Sequence, residues 1–316
     1  MSANQPRKPA GAPVGGQWAS MVHAEADVDL GHRPRNRQPK LSVTKDGTRV
    51  WRLDKQLHRT DGPAVEHPDG AKEWYQHGEL HRTDGPAVER SNGSKEWYQH
   101  GVLHRIGGPA VEGPGGNKEW WVDGKPHRED GPAGELSWGK VWYQHGQLHR
   151  IGGPAVEYQD GTKEWYQHGE LHRTDGPAVE HPDGAKEWYQ HGELHRIGGP
   201  AVERSNGSKW WHRHGKLHRD DGPAVEAANG SKWWYRHGKL HRDDGPAYEG
   251  FDGAKGWYEN GELHRDDGPA SEEADGTKRW CQHNKRDRLD GPAVEYPDGT
   301  VEWWIDDERA DLPVEH

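Results

Sequence analysis

Aromatic residues recur at a fixed spacing and divide the chain into short units. A Trp stands at twelve positions that lie 23 residues apart, except for one step of 22. These positions are Trp51, Trp74, Trp97, Trp120, Trp142, Trp165, Trp188, Trp211, Trp234, Trp257, Trp280 and Trp303. Self-similarity at a fixed period is the signature of repeat architectures. The pattern therefore predicts a tandem array of twelve units rather than one large core.

Each unit has the form W-Y-x-H-G-x-L-H-R-x-D-G-P-A-V-E-x-x-D-G-x-K-E, which residues 74–96 match closely. Eleven units contain Gly-Pro-Ala, and proline at this spacing would interrupt any helix. Gly78 and Gly70 mark two tight turns that need a positive φ. We predict strands over residues 72–75 and 86–89, joined by residues 80–82. The expected fold is all-β, an elongated array of stacked hairpin units.

Neighbouring residues of a strand point to opposite faces, so Trp74 and Tyr75 should lie on different sides of the sheet. The Trp position never varies, which predicts that all twelve Trp form the structural core. The next position accepts Arg, His and Cys besides Tyr, so we assign it to an outer aromatic column and to the candidate binding surface. The members of this column are Tyr75, Tyr98, Trp121, Tyr143, Tyr166, Tyr189, Tyr235, Tyr258 and Trp304.

The apolar content of the unit limits how it can fold. Hydrophobic residues make up 29% of the chain, and a unit supplies about four apolar side chains, too few to stabilise a lone hairpin. Neighbouring units must therefore complete the core by stacking. Polar residues in the last unit, Asp306 to Arg309, suggest a cap that prevents further sheet growth.

The charge distribution separates an N-terminal arm from the array. Residues 1–40 carry six Lys/Arg and three Asp/Glu, a charge of +3, so the remainder of the chain carries −14 of the total of −11. We predict a disordered basic arm over 1–40 and a repeat array over 41–316. An acidic array repels the phosphate backbone, which argues against nucleic acid as the main partner.

Cysteine usage and hydropathy indicate the compartment. Cys281 is the one cysteine, so no internal disulfide can form, and no apolar run of about 18 residues is long enough to span a bilayer. No apolar signal segment is visible near the start of the sequence. We therefore expect a cytoplasmic protein of bacterial or phage origin without membrane insertion.

The unit resembles the MORN repeat, a 23-residue hairpin of the form Y-x-G-x-W-x-N-G-x-x-H-G-x-G with a later P-D-G turn. Residues 75–78 match its aromatic-x-N-G step, His81 its His, and residues 68–70 its closing turn. The resemblance covers residues 47–316, with an extra residue near Arg82 and the added Pro-Ala. It is also similar to bacterial repeat proteins found near toxin–antitoxin loci. The resemblance implies a twisted sheet with scaffolding or partner-binding roles and no reaction.

Two histidine columns and an Arg–Glu pattern could carry chemistry. One His column precedes the repeated Arg, as at His81, and the other lies in the hairpin turn, as at His77. Stacked columns could bind zinc or nickel, although a ladder sets ligands in a row, whereas metal sites need three or four converging ligands. The repeated Arg and Glu, such as Arg82 and Glu89, fit paired charges between strands.

These patterns give a ranked set of functions. An enzyme is not expected, because an active site is singular and these groups recur in nearly every unit. The leading hypothesis is a non-catalytic scaffold that binds a protein partner, in toxin neutralisation or in recognition of a host or phage protein. The alternative is carbohydrate or cell-wall binding, and the third is metal binding by the His ladder. No cofactor is expected, and self-association stays open.

Overall fold

The computed structural model describes residues 38–310, so most of the predicted basic arm and the last six residues lie outside the described part of the chain. The described residues form 47 short strands. One 3-10 turn, Pro114–Gly116, is the only helical element among them. The predicted all-β array of tandem hairpins is confirmed.

Two alternating classes of strand build the large sheet, after an initial strand Lys40–Val43. The first class, called the Lys strands, comprises Arg49–Leu53, Lys72–Glu73, Lys95–Glu96, Lys118–Glu119, Gly139–Val141, Lys163–Glu164, Lys186–Glu187, Lys209–Trp210, Lys232–Trp233, Lys255–Gly256, Lys278–Arg279 and Val301–Glu302. The second class, called the Val strands, comprises Val65–Glu66, Val88–Glu89, Val111–Glu112, Gly134–Leu136, Val156–Tyr158, Val179–Glu180, Val202–Glu203, Val225–Glu226, Tyr248–Glu249, Ser271–Glu272 and Val294–Glu295.

The remaining strands form one small hairpin in each unit. Their first arms are Tyr75–Gln76, Tyr98–Gln99, Trp121–Val122, Tyr143–Gln144, Tyr166–Gln167, Tyr189–Gln190, His212–Arg213, Tyr235–Arg236, Tyr258–Glu259, Cys281–Gln282 and Trp304–Ile305. Their second arms are Gln56–Leu57, Glu79–Leu80, Val102–Leu103, Lys125–Pro126, Gln147–Leu148, Glu170–Leu171, Glu193–Leu194, Lys216–Leu217, Lys239–Leu240, Glu262–Leu263, Lys285–Arg286 and Glu308–Arg309. Eleven of these hairpins are separate two-stranded sheets.

The large sheet is an antiparallel meander of 25 strands, which are the initial strand, the twelve Lys strands, the eleven Val strands and Gln56–Leu57. Each Val strand lies between the Lys strand of its own unit and that of the next, as Val88–Glu89 lies between Lys72–Glu73 and Lys95–Glu96. The register places Lys72 opposite Glu89, and Glu89 opposite Lys95. Lys and Glu therefore alternate across one face, and opposite charges at such cross-strand positions contribute about 0.2–1 kcal/mol each.

The Trp of each unit is where the chain leaves the large sheet for the hairpin. The Trp74 backbone N–H donates to the Ala87 carbonyl at 2.8 Å, and the Trp74 carbonyl accepts from the His81 N–H at 2.9 Å. The predicted strand over residues 72–75 is therefore split at Trp74 into Lys72–Glu73 and Tyr75–Gln76. In the first unit Arg49–Leu53 runs through Trp51 without a break.

The most completely buried side chains are not those of the Trp column. The Ala of every Gly-Pro-Ala triplet is fully buried, with 0–2% of its surface exposed, and the neighbouring Val is buried in most units. All twelve Trp predicted as the core are half-buried instead. Each unit is thin, so a ring as large as indole cannot be covered on all sides, whereas a methyl group between hydrogen-bonded strands can.

The fully buried Ala column gives a stability prediction. Ala224→Leu should lower the free energy of unfolding by about 1–3 kcal/mol, because added methylenes in a packed site force neighbouring groups apart. Chemical denaturation measures the change. Gln167→Ala, at an exposed and uncharged strand position, is the control and should stay within about 0.5 kcal/mol. Equal effects of the two substitutions would show that the Ala column tolerates larger side chains.

Candidate functional site

One arginine ties each unit together. The guanidinium of Arg173 lies 4.0 Å from the centroid of the Trp165 ring. Its Nε donates to Asp175 at 2.9 Å, and its Nη1 donates to the Pro177 carbonyl at 3.1 Å and to Glu180 at 2.9 Å. The guanidinium thus joins the Trp face, the loop and the Val strand, a use that its planar set of donors permits.

This arginine cluster recurs along the array. In eleven units the Arg Cζ lies 3.7–4.1 Å from the Trp ring centroid. The predicted Arg–Glu pairs between strands are confirmed in ten units, as Arg59–Glu66, Arg82–Glu89, Arg105–Glu112, Arg128–Glu135, Arg150–Glu157, Arg173–Glu180, Arg196–Glu203, Arg219–Glu226, Arg242–Glu249 and Arg288–Glu295. The cluster is a structural element of every such unit, so it cannot by itself define a functional site.

The Gly of Gly-Pro-Ala makes room for this arginine. A Cβ on Gly176 would lie 2.8 Å from the Arg173 Cζ, closer than side-chain contacts allow. The same close approach, 2.7–3.1 Å, occurs at the corresponding Gly of all eleven triplets. A side chain at this position would displace the guanidinium, so this close approach, and not a positive φ, favours Gly here.

Three alternate units carry a different loop after the arginine. Most units have a polar residue and Asp there, whereas units three, five and seven have Ile-Gly, at Ile106, Ile151 and Ile197. The Gly that replaces Asp in these loops adopts a positive φ of 78–80° in all three. Each of the three Ile side chains is 85% exposed. They form a row of apolar side chains, called here the Ile row, on one edge of the array.

Open grooves lie between the loops of consecutive units. A groove of about 440 Å³ is lined by Ile197, Trp211 and His218 among other residues. A similar groove of about 370 Å³ contains Ile106 and Trp120. Two further grooves have a volume of about 630 Å³ each. One carries a pair of Asp residues on both of its loops. The other carries Asp266 and Asp267 on one loop and Leu289 and Asp290 on the next.

The aromatic column predicted to be the binding surface is half-buried, so it is not an exposed outer row. The Tyr189 hydroxyl donates to Glu187 at 3.0 Å, and the Trp121 indole N–H donates to Glu119 at 3.0 Å. The same bond is made by Tyr75, Tyr98, Tyr166 and Trp304. The smaller Cys281 at this position is buried. These side chains cover the sheet face that carries the Val residues of the Val strands and the acceptor Glu residues. This leaves little of their surface free for a partner.

The remaining tyrosines of this column are half-buried without that bond. At the position of the acceptor Glu, Tyr143 has Val141, Tyr235 has Trp233 and Tyr258 has Gly256. A Cβ on Gly256 would meet the Tyr258 ring at 2.7 Å, so this ring packs directly onto the strand backbone.

The two predicted histidine columns meet in pairs between consecutive units. The rings of His172 and His191 are 4.6 Å apart, and the His172 Nδ1 accepts the His191 backbone N–H at 3.2 Å. Eight such ring pairs have centroids 4.4–4.8 Å apart. Among residues 38–310, no group of three or more His, Cys, Asp or Glu side chains is arranged to hold a metal ion.

The comparisons with known proteins add no relative. No protein-family model matches the chain, and no curated protein is similar to it at a significant level. Within the described residues, no helix has the length and apolar character needed to cross a bilayer.

The Ile row was not predicted from the sequence, although the sequence contains a signal for it. Ile-Gly replaces the usual polar-Asp pair in alternate units, a departure that recurs in register. The exposure of these Ile side chains follows from the loop geometry, which the apolar pattern does not specify.

The fit between Gly176 and Arg173 can be tested by a double-mutant cycle. Gly176→Ala should lower the free energy of unfolding, because the new methyl group displaces the guanidinium from Trp165. In an Arg173→Ala background the same substitution should cost clearly less, with a coupling of about 0.5–3 kcal/mol in chemical denaturation. Strict additivity of the two changes would mean that the close approach carries no energy.

The tyrosine column predicts a delayed alkaline titration. Burial, followed by the hydrogen bond or charge of a neighbouring Glu, raises the pKa of Tyr75, Tyr98 and Tyr189 to about 12. The stability that these phenols contribute is full below the ordinary pKa near 10 and is lost as the pH rises from there toward 12. Tyrosinate absorbance should therefore develop in two phases while the chain stays folded. Tyr189→Phe should reduce the late phase only, and a single phase near 10 would contradict the geometry.

Proposed function

We propose that the chain is a non-catalytic repeat scaffold that binds a protein partner through the Ile row and the grooves beside it. The observation that carries this proposal is the exposure of Ile106, Ile151 and Ile197 at one loop position of alternate units. Neutralisation of a toxin or recognition of a host or phage protein is the proposed setting, in line with the resemblance to MORN-like repeats.

A polar residue at the positions of the Ile row would serve folding equally well. Thr60, Thr83 and Thr174 occupy the same loop position in other units and are exposed as well. An exposed Ile buries no apolar surface, so it contributes little hydrophobic stabilisation to the folded chain. Apolar side chains that recur in register on an exposed edge are typical of sites that bury them against a partner.

The loop change that accompanies each Ile also supports a binding role. Asp175 bonds to Arg173 in a standard loop, whereas Gly198 stands at that position beside Arg196. The loop thus loses one carboxylate and gains an apolar side chain. An uncharged, apolar loop costs less to desolvate on binding than a loop with an ionised Asp.

Site-specific photocrosslinking in the native host tests the proposal. A photoreactive residue at Ile106, Ile151 or Ile197 should give the same discrete protein adduct, and one at the exposed Lys186 should not. The purified partner should then lose affinity by at least about tenfold, or 1.4 kcal/mol, for the triple Ile→Thr variant. The variant Thr60→Ser, Thr83→Ser and Thr174→Ser is the control for changes at this loop position. Absence of a shared adduct, or unchanged affinity of the triple Ile→Thr variant, would rule out the Ile row as the binding surface.

A carbohydrate-binding role is the second candidate, and one observation favours it. The rings of Trp138 and Tyr158 lie 5.5 Å apart and are 45% and 36% exposed. Exposed aromatic pairs supply flat apolar area with a polar tip, which suits a sugar face. Retention of the chain on isolated cell walls, abolished by Trp138→Ala and unaffected by the triple Ile→Thr variant, would support this role over protein binding.

A further inference from the structure

The large sheet ends at two strands that are each paired on one side only. Lys40–Val43 pairs with Arg49–Leu53, and Val301–Glu302 pairs with Val294–Glu295. Within residues 38–310, no other strand pairs with the outer side of either one. An unpaired strand presents a row of backbone N–H and C=O groups that another chain can bind. Proteins commonly place Lys or other charged side chains on such an edge to prevent this pairing.

The two end strands belong to complementary classes. Lys40–Val43 takes the place of a Val strand, because it pairs with Arg49–Leu53 in the antiparallel register in which Val88–Glu89 pairs with Lys95–Glu96. Val301–Glu302 is a Lys strand, and no Val strand follows it within the described residues. The alternation of the two classes would therefore continue without interruption if the initial strand of a second copy paired with Val301–Glu302.

Both end strands carry valine where the interior of the sheet carries a charge. Lys72 lies opposite Glu89 in the interior ladder. All eleven Val strands have Glu at this position, and the other eleven Lys strands have Lys or Arg. The last Lys strand has Val301 instead, and the initial strand has Val43 at the Glu position. These two side chains are 42% and 60% exposed. Pairing between two copies would place them opposite each other, so the uncharged positions of the ladder would meet.

A second match involves Leu41 and Trp303. In an interior unit a guanidinium covers the Trp ring, and the Trp N–H donates to the Ala across the ladder, as Trp74 does to Ala87 at 2.8 Å. The last unit has Asp311 at the position of that arginine. No guanidinium of residues 38–310 lies over the Trp303 ring. The initial strand has Leu41 at the Ala position, 52% exposed. In the same register a second copy would set this larger side chain across from the ring that no arginine covers.

We propose that copies of the chain associate head to tail, by pairing of the Lys40–Val43 strand of one copy with Val301–Glu302 of another. The strands are antiparallel, with Val43 opposite Val301 and Leu41 opposite Trp303. The contact joins two different surfaces, so the same contact can repeat and extend the sheet from copy to copy. This inference does not depend on the Ile row or on its partner.

Polar residues on the last hairpin, expected from the sequence to cap the array, moderate this association. Between the last two units the Lys285 Nζ donates to Asp306 at 2.7 Å. The corresponding residues at a junction of two copies are Glu308 and Asp54, which are both acidic. Salt screens such a repulsion, since the Debye length falls from about 30 Å at 0.01 M to about 8 Å at 0.15 M. Association is therefore best measured at about 0.15 M salt or above.

Sedimentation velocity on the full chain tests the proposal. The unaltered chain should form dimers and longer species as its concentration rises. Val43→Lys with Val301→Lys sets like charges opposite each other and should weaken association by at least about tenfold. Val43→Glu with Val301→Lys restores the Lys–Glu pair of the interior ladder and should associate clearly better than the first variant. A chain that stays monomeric at its highest soluble concentration, or equal association of the two variants, overturns the proposal.

Two controls separate the sheet edges from other surfaces. Val102→Lys changes a valine that is 43% exposed on a small hairpin. Lys125 occupies the same position in the next unit, so the fold accepts the change. The triple Ile→Thr variant alters the Ile row. Both controls should associate like the unaltered chain, and loss of association in either one would mean that the contact lies elsewhere.

Disulfide crosslinking tests the direction of the contact. Opposite residues of antiparallel strands have Cα atoms about 4.5–5.5 Å apart, within the range of a disulfide. A Val43→Cys chain mixed with a Val301→Cys chain should give linked dimers far in excess of those that either chain forms alone. Cys281 is buried and common to both chains. Equal crosslinking of either chain with itself would show a head-to-head or tail-to-tail contact and contradict the proposed one.

Discussion

The structure depends on one arginine that closes each unit. Its guanidinium covers a Trp ring, bonds a proline carbonyl and pairs with a Glu on the next strand, as Arg173 does with Trp165, Pro177 and Glu180. Without it, the covered face of the indole would meet water and the loop would lose its side-chain bonds to the Val strand. Because the unit has few apolar groups, this cation–π and hydrogen-bonded contact replaces the second layer that a thicker domain would supply.

Several features could be predicted from the sequence because local chemistry determines them. The 23-residue period, the glycine turns and the Arg–Glu pairs follow from residue types at fixed spacing. The opposite orientation of Trp74 and Tyr75 follows from strand alternation. The identity of the covered face could not be predicted in this way. It depends on two side-chain contacts. The Arg82 guanidinium lies over the Trp74 ring, and Glu73 accepts the Tyr75 hydroxyl. These contacts join residues at different separations in the sequence.

Invariance along a repeat therefore does not report burial alone. Trp188 is invariant and half-buried because it must offer a flat face to Arg196. Ala178 is invariant and fully buried because neighbouring backbone segments bond to it on both sides, through the Trp165 N–H and the Glu187 carbonyl. Gly199 is invariant because Arg196 occupies the space of its missing side chain. Three physical causes produce the same sequence signal, and only the contacts distinguish them.

Variation at one position of the repeat is therefore a better indicator of function than invariance is. The loop position that holds Thr60, Ile106, Glu129, Ile197 and Asp220 is exposed in all these units, so folding places little constraint on it. A repeat array can therefore change its surface unit by unit, while the arginine cluster keeps eleven of its units in the same register. The binding surface proposed for this chain resides at that variable position, which the scaffold tolerates because its folding does not rely on it.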